Sequence, residues 1–183
     1  VTATTNDAVP GNNSDTEDTT LDNVPPQVTN VDSVVGTGDG TLAECETANV
    51  VLTGLKVSFD EPMQNPPGDG DPDDVTNPAN YLVVAPGPDF DFQTVACGGA
   101  AGDDVALAVS AVTYDGGTDT ATLTLAAALP SAQVRLFACD SLTDAAGNAL
   151  DGDGNTTAGG DFRRAFRSDP GNVFANGHFD CDA

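Results

Sequence analysis

Between Pro26 and Ser168 the apolar residues come in short alternating runs, and clusters of Gly, Pro, Asp and Asn separate one run from the next. A period of two puts successive side chains on opposite faces of a pleated strand. A helix needs apolar residues three and four apart, and no segment of this chain keeps that spacing. The clearest run is "TATLTLA", Thr120 to Ala126, where Thr alternates with Ala and Leu as a half-buried strand requires, and "YDGGTDT" before it supplies a hairpin turn. Further candidate strands are Gln27 to Val35, Asn49 to Phe59, Asn80 to Ala85, Asp91 to Ala96, Val105 to Tyr114, Ala132 to Ala138 and Phe162 to Arg167. The pattern excludes a helical bundle and predicts an all-β fold.

Strands of this length and spacing fit a single immunoglobulin-like β-sandwich of seven to eight strands, spanning residues 25–169. With 183 residues and 39% hydrophobic content, the chain can bury one core of ordinary size. Residues 1–24 are rich in Thr, Asn and Asp and too poor in apolar residues to fold alone, so they are expected to form an extended N-terminal arm or linker. Residues 170–183 are expected to form a C-terminal tail. The arm opens with Val1, Thr2, Ala3, Thr4 and Thr5, a β-branched alternation suited to pairing with an exposed sheet edge.

Charge removes several functions from consideration. The formal net charge is −24, with 29 Asp and Glu against five Lys and Arg, and such a field repels phosphate backbones and anionic headgroups. Nucleic acid is therefore not an expected partner. No apolar run is long enough for a membrane span. There is no G-x-S-x-G, no H-E-x-x-H and no glycine-rich phosphate loop, and the single histidine, His178, stands alone near the C-terminus. No enzymatic activity is expected.

Cys45, Cys97, Cys139 and Cys181 lie far apart without a C-x-x-C pair, which argues for two disulfides rather than zinc, and hence for an oxidising, extracellular or cell-surface location. Three connectivities are open at this point.

Two acidic loops have the composition of calcium sites. "DGDGN" sets Asp151, Asp153 and Asn155 at alternating positions with glycines between them, and Asp161 is placed to close the loop around a hard cation. It departs from an EF-hand loop, having Thr156 at the sixth position and Phe162 at the twelfth. "DGDPDD" offers Asp69, Asp71, Asp73 and Asp74, with Asp60 and Glu61 near enough in sequence to approach them. Ca²⁺ is the expected cofactor. In "FRRAFR", Arg163, Arg164 and Arg167 hold most of the positive charge and either neutralise carboxylates of the same molecule or receive an acidic partner.

The stretches "PPQVTNV", "LKVSFDEPM", "VTYDGGTDTATLTLAAALP" and "LTDAAGNAL" resemble the bacterial Ig-like domains of surface-layer and other cell-surface proteins. The "F-x-E-P-M" strand end and the "D-x-A-G-N-x-L" turn carry most of that likeness. Asp144 and Asn148 suit a turn through side chain to backbone hydrogen bonds, and Gly147 suits a positive φ. The resemblance implies pairing of Cys97 with Cys139 and of Cys45 with Cys181, with Asn80 to Ala85 and Asp91 to Ala96 forming a hairpin. The expected function is a structural subunit of a surface filament or layer, whose partners are other copies of itself in a heterologous, open assembly. The arm of one copy would add a strand beside Arg163, Arg164 and Arg167 of the next. The alternative is an adhesin or an accessory binding module of a larger secreted protein.

Overall fold

The computed structural model describes residues 22–35, 40–68 and 70–171. Val1, Thr2, Ala3, Thr4, Thr5, Asp69, His178 and Cys181 lie outside the described residues. Among the described residues there are nine strands: β1 (Val28–Ser33), β2 (Glu46–Ala48), β3 (Gly54–Phe59), β4 (Tyr81–Ala85), β5 (Val105–Ala106), β6 (Val109–Asp115), β7 (Thr120–Leu125), β8 (Ala132–Ala138) and β9 (Phe162–Ser168). They form a sandwich of a four-stranded sheet, ordered β1-β3-β7-β6, and a five-stranded sheet, ordered β2-β9-β8-β4-β5. Every pairing is antiparallel except β2 with β9.

The period of two sorts each strand between core and surface. Leu55, Val57 and Phe59 of β3 and Ala121, Leu123 and Leu125 of β7 point inward, against Val83, Val134, Leu136 and Phe166 of the opposite sheet. The Thr residues of β7 face outward, and Thr120 meets Ser58 across the ladder at 2.9 Å. Leu42, Leu52, Met63, Leu129, Leu142 and Leu150 close the ends of this core from the loops.

Strand β8 breaks the alternation, with Val134 to Ala138 buried without interruption. Its second face is covered by the segment between β4 and β5, which makes a third layer. The Arg135 guanidinium lies 4.2 Å from the Phe92 ring centre and donates to Thr94 O. Cys97 is bonded to Cys139, just beyond the end of β8. Cys45 is itself disulfide-bonded, and among the described residues no cysteine is free.

This layer corrects one expected strand. Asp91 to Ala96 forms no strand and no hairpin with β4, which pairs instead with β5 and β8. Carboxylates take up backbone donors in place of a ladder: Gln93 N and Thr94 N both donate to Asp104 Oδ2, and Cys97 N, just after the stretch, donates to Asp161 Oδ2 at 2.6 Å. Val105 to Tyr114 divides into β5 and β6, because the chain crosses between sheets at Leu107 and Ala108. Strand β2 is too short and too polar to stand out in the sequence.

The Cys97–Cys139 bond closes a loop of sequence separation 42, for which chain entropy implies a contribution of about 4 kcal/mol. Replacing both cysteines by serine is expected to lower the unfolding free energy from urea titration by about that amount and to expose residues 86–104 to proteolysis. A loss below about 1 kcal/mol would show that the third layer holds without the bond.

Candidate functional site

The "FDEPM" strand end and the "DAAGN" turn meet at one pole of the sandwich. Met63 bridges to Asp144, Gln64 N donates to Thr143 O, and Ala145 N donates to Pro62 O. Asp144 is buried and organises the turn: its Oδ1 accepts from Ala146 N and Asn148 N at 2.8 Å each, and its Oδ2 accepts from Asn148 Nδ2 at 2.7 Å. Gly147 has φ +92°, a conformation that costs glycine little. Tyr114 Oη accepts from Met63 N and donates to Asp119 Oδ1, tying the β6–β7 hairpin to the same pole.

Here one carboxylate oxygen each from Asp22, Glu61 and Asp144 lies within 4.8 Å of the other two. Asn148 Nδ2 also donates to Asp22 O at 3.4 Å, so the root of the N-terminal segment sits on this pole. Burial, and then the charges of Asp144, Asp22 and Asp60, push the Glu61 carboxyl up to about 7, and Glu61 shares a side-chain hydrogen bond with Asp22. Such a cluster can hold a proton near neutral pH. It lacks a paired nucleophile and base. Sequence reasoning missed this grouping because Asp22, Glu61 and Asp144 are far apart in the chain; the only signal was that the last two belong to the two most specific motifs.

The first acidic loop is a self-satisfied turn. Asp151 is buried; its Oδ1 accepts from Asn155 N at 3.0 Å, and its Oδ2 accepts from Thr156 N at 2.8 Å and Gln27 Nε2 at 2.7 Å. Burial pushes the Asp151 carboxyl up, but these donors, with Asp153, hold it below the usual carboxylate range. Asp153 accepts from Asn155 N and Asn155 Nδ2. Asp161 does not face this loop with its hydrogen bonds: it accepts from Asp140 N and Cys97 N, beside the disulfide. Gly152 allows the loop to fold back, since a Cβ there would collide with Gly160 O and Phe162 N. Thr156 is held at φ +69°, a strained value for a β-branched residue, costing on the order of 1–3 kcal/mol.

In the second loop the buried acid is Asp74, while Asp71 is exposed and Asp73 half-buried. Asp74 Oδ1 accepts from Thr76 N and Thr76 Oγ1, and Asp71 contributes its backbone carbonyl, to Asp74 N and Asn77 Nδ2. Asp60 Oδ1 accepts from Gln27 N at 2.7 Å, so neither it nor Glu61 is given to this loop.

The arginines lie on β9, which is an interior strand between β2 and β8. Arg163 pairs with Glu44 at 3.8 Å, Arg167 pairs with Asp169 at 3.6 Å, and Arg164 lies over Phe162. Arg163 and Arg167 neutralise carboxylates of the same molecule, and exposed pairs of this kind are worth about 0–1 kcal/mol.

No protein-family model matches the sequence, and no curated protein matches it. Among solved structures, domains 1–6 of surface layer protein SbsC align over 79% of this chain and 14% of that chain, with 17% identity and a TM-score of 0.45. The N-terminal part of the bacterial S-layer protein SbsC aligns over 80% of this chain and 24% of that chain, with 16% identity and a TM-score of 0.44. PcoC, a methionine-rich copper resistance protein from Escherichia coli, aligns over 79% of this chain and 98% of that chain, with 10% identity and a TM-score of 0.42.

Because the folded Glu61 binds a proton up to about pH 7 and the reference carboxyl only to 4.5, the folded state holds more protons between those values. Its contribution to stability therefore falls as pH rises through that window. Glu61→Gln should remove this component, so that its melting temperature exceeds that of the wild type most clearly at pH 8. Parallel pH profiles for the two proteins would show that Glu61 titrates normally.

Proposed function

We propose that this chain is a non-enzymatic extracellular structural module of a surface filament or surface layer, joined to its neighbours by strand addition of the N-terminal arm. The observation that carries the reading is the edge of β6, which starts at the pole opposite the arm root and runs toward it. Strand β1 pairs with β3 so that Val28 meets Phe59, which places Asp22 at the Phe59 end. Val109 of β6 meets Leu125 at the other end, about 17 Å away by the rise of a six-residue strand.

Four strands end the two sheets, and they are not equal as templates. On the edge of β1, Val31 O accepts from Leu42 N, and Asn30 Nδ2 donates to Gly40 O. Strands β2 and β5 have three and two residues. Strand β6 has seven residues and, among the described residues, pairs only with β7. Beside its start lies a groove of about 250 Å³ lined by residues 106–108 and 126–129, all of them Ala or Leu. An arm that leaves one pole and docks at the opposite pole of the next copy makes a heterologous contact, and repetition without closure makes a filament. The acceptor in this reading is β6 rather than β9, whose hydrogen-bonding sides are taken by β8 and, at Phe166 to Ser168, by β2.

The disulfides support an oxidising location. Calcium belongs to the reading as the hard cation that a net charge of −24 recruits.

Deleting residues 1–21 is expected to leave a folded monomer and to abolish polymers seen by electron microscopy and light scattering. Ala108→Glu with Ala127→Glu, both on exposed groove positions, should do the same without lowering the melting temperature. Polymers that survive both changes would reject the arm as connector. Calcium is expected to raise the melting temperature and chelator to lower it, and identical curves would remove calcium from the reading.

A further inference from the structure

One feature of the 151–161 loop is used by neither the fold nor the proposed assembly. Asn155-Thr156-Thr157 is an N-x-T triplet, and the residues from Asp153 to Ala158 are all exposed. The loop holds the Asn155 side chain at both ends. Asn155 Oδ1 accepts from Thr157 N at 2.8 Å, the turn that brings the third residue of the triplet back to the amide, and Asn155 Nδ2 donates to Asp153 Oδ2 at 2.9 Å. The second Nδ2 hydrogen has no partner among the described residues. Thr156, the middle residue, is kept in its left-handed conformation by Asp151 Oδ2, and Gly154 on the other side has φ +71°. Asp151, buried under the loop, accepts from the backbone N–H groups of Asn155 and Thr156, so the triplet is anchored from beneath while Asn155 stays exposed.

We propose that Asn155 is an acceptor site for N-linked glycosylation, taking an oligosaccharide from a polyprenyl diphosphate-linked donor through an oligosaccharyltransferase. Asn155 Nδ2 attacks the anomeric carbon, a C–N bond forms, and the C–O bond to the diphosphate breaks with its electron pair leaving on the diphosphate. One Nδ2 proton is lost to a base, and nothing is oxidised or reduced. An amide nitrogen is a poor nucleophile because its lone pair is delocalised into the carbonyl. Asp153 opposes this by drawing on one N–H while Thr157 fixes the carbonyl, which makes Asp153 a positioning residue. The other N-x-S/T triplet of the chain begins at Asn12, outside the described residues. The proposal depends on the extracellular reading only for access to the enzyme, and not on the mode of assembly.

The test incubates the folded, oxidised protein with a bacterial oligosaccharyltransferase and an undecaprenyl diphosphate-linked oligosaccharide, followed by mass mapping of the tryptic peptide between Arg135 and Arg163. Of the two asparagines in that peptide, Asn148 and Asn155, only Asn155 lies in a triplet. The expected result is one glycan mass on this peptide, lost in Asn155→Gln and in Thr157→Ala. In Asp153→Asn transfer should be slower with an unchanged melting temperature. An unmodified wild-type peptide, or a glycan that persists there in Asn155→Gln, overturns the site. Equal rates for Asp153→Asn and wild type overturn the part given to Asp153. Polymerisation of Asn155→Gln, followed in the same samples, separates this outcome from the assembly reading.

Discussion

Strand β8 has water on neither face, and the rest of the architecture answers that constraint. A strand buried on one side needs only the opposite sheet, but Val134 to Ala138 are buried in sequence, so the outward side chains Arg135 and Phe137 require their own cover. The chain supplies it from the segment between β4 and β5. Stacking of Arg135 on Phe92 contributes on the order of 1–2 kcal/mol in a desolvated site, and the guanidinium is held further by Thr94 O. The disulfide and the bond from Cys97 N to Asp161 fix the far end of the cover. An irregular layer of this kind must satisfy its backbone without a ladder, and acidic side chains do so here.

That use of carboxylates explains how a chain with 29 acidic residues and five basic ones keeps a compact fold. Asp60, Asp104, Asp144, Asp151 and Asp161 each accept from backbone N–H groups, and a hydrogen bond to an ionised group is worth about 1.5–3 kcal/mol, more than a neutral one. Fixed backbone dipoles therefore offset part of the charge that cations would otherwise neutralise. The exception is the pole where Asp22, Glu61 and Asp144 converge. There the charges face each other, and burial with that repulsion raises the Glu61 carboxyl to about 7.

The same pole anchors the start of the described chain, while the longest unpaired edge begins at the opposite pole. In the proposed assembly this arrangement is directional, with the arm at one end and its template at the other, which is what an open assembly needs and what a symmetric dimer does not. The basic strand β9 has a different task. Its arginines sit beside Glu44, Asp169 and Phe162 of the same molecule.

The sequence by itself determined the all-β class, most strand positions and the turns. These are local properties: "TATLTLA" allows one partition of its side chains, and Asp144, Gly147 and Asn148 build their turn from neighbours within a few residues. Only the tertiary structure decided what the long loops do. Asp91 to Ala96 has the composition of a strand, yet Gln93 N and Thr94 N meet Asp104, and Cys97 N just after the stretch meets Asp161, which is remote in sequence. Asp161 looked like the closing residue of the "DGDGN" loop but faces the disulfide layer. Which face of β8 would be covered, which edge would stay open and which acids would converge are likewise set by contacts between distant segments. Such contacts leave no periodic trace in the sequence, because any of several carboxylates could have filled each place.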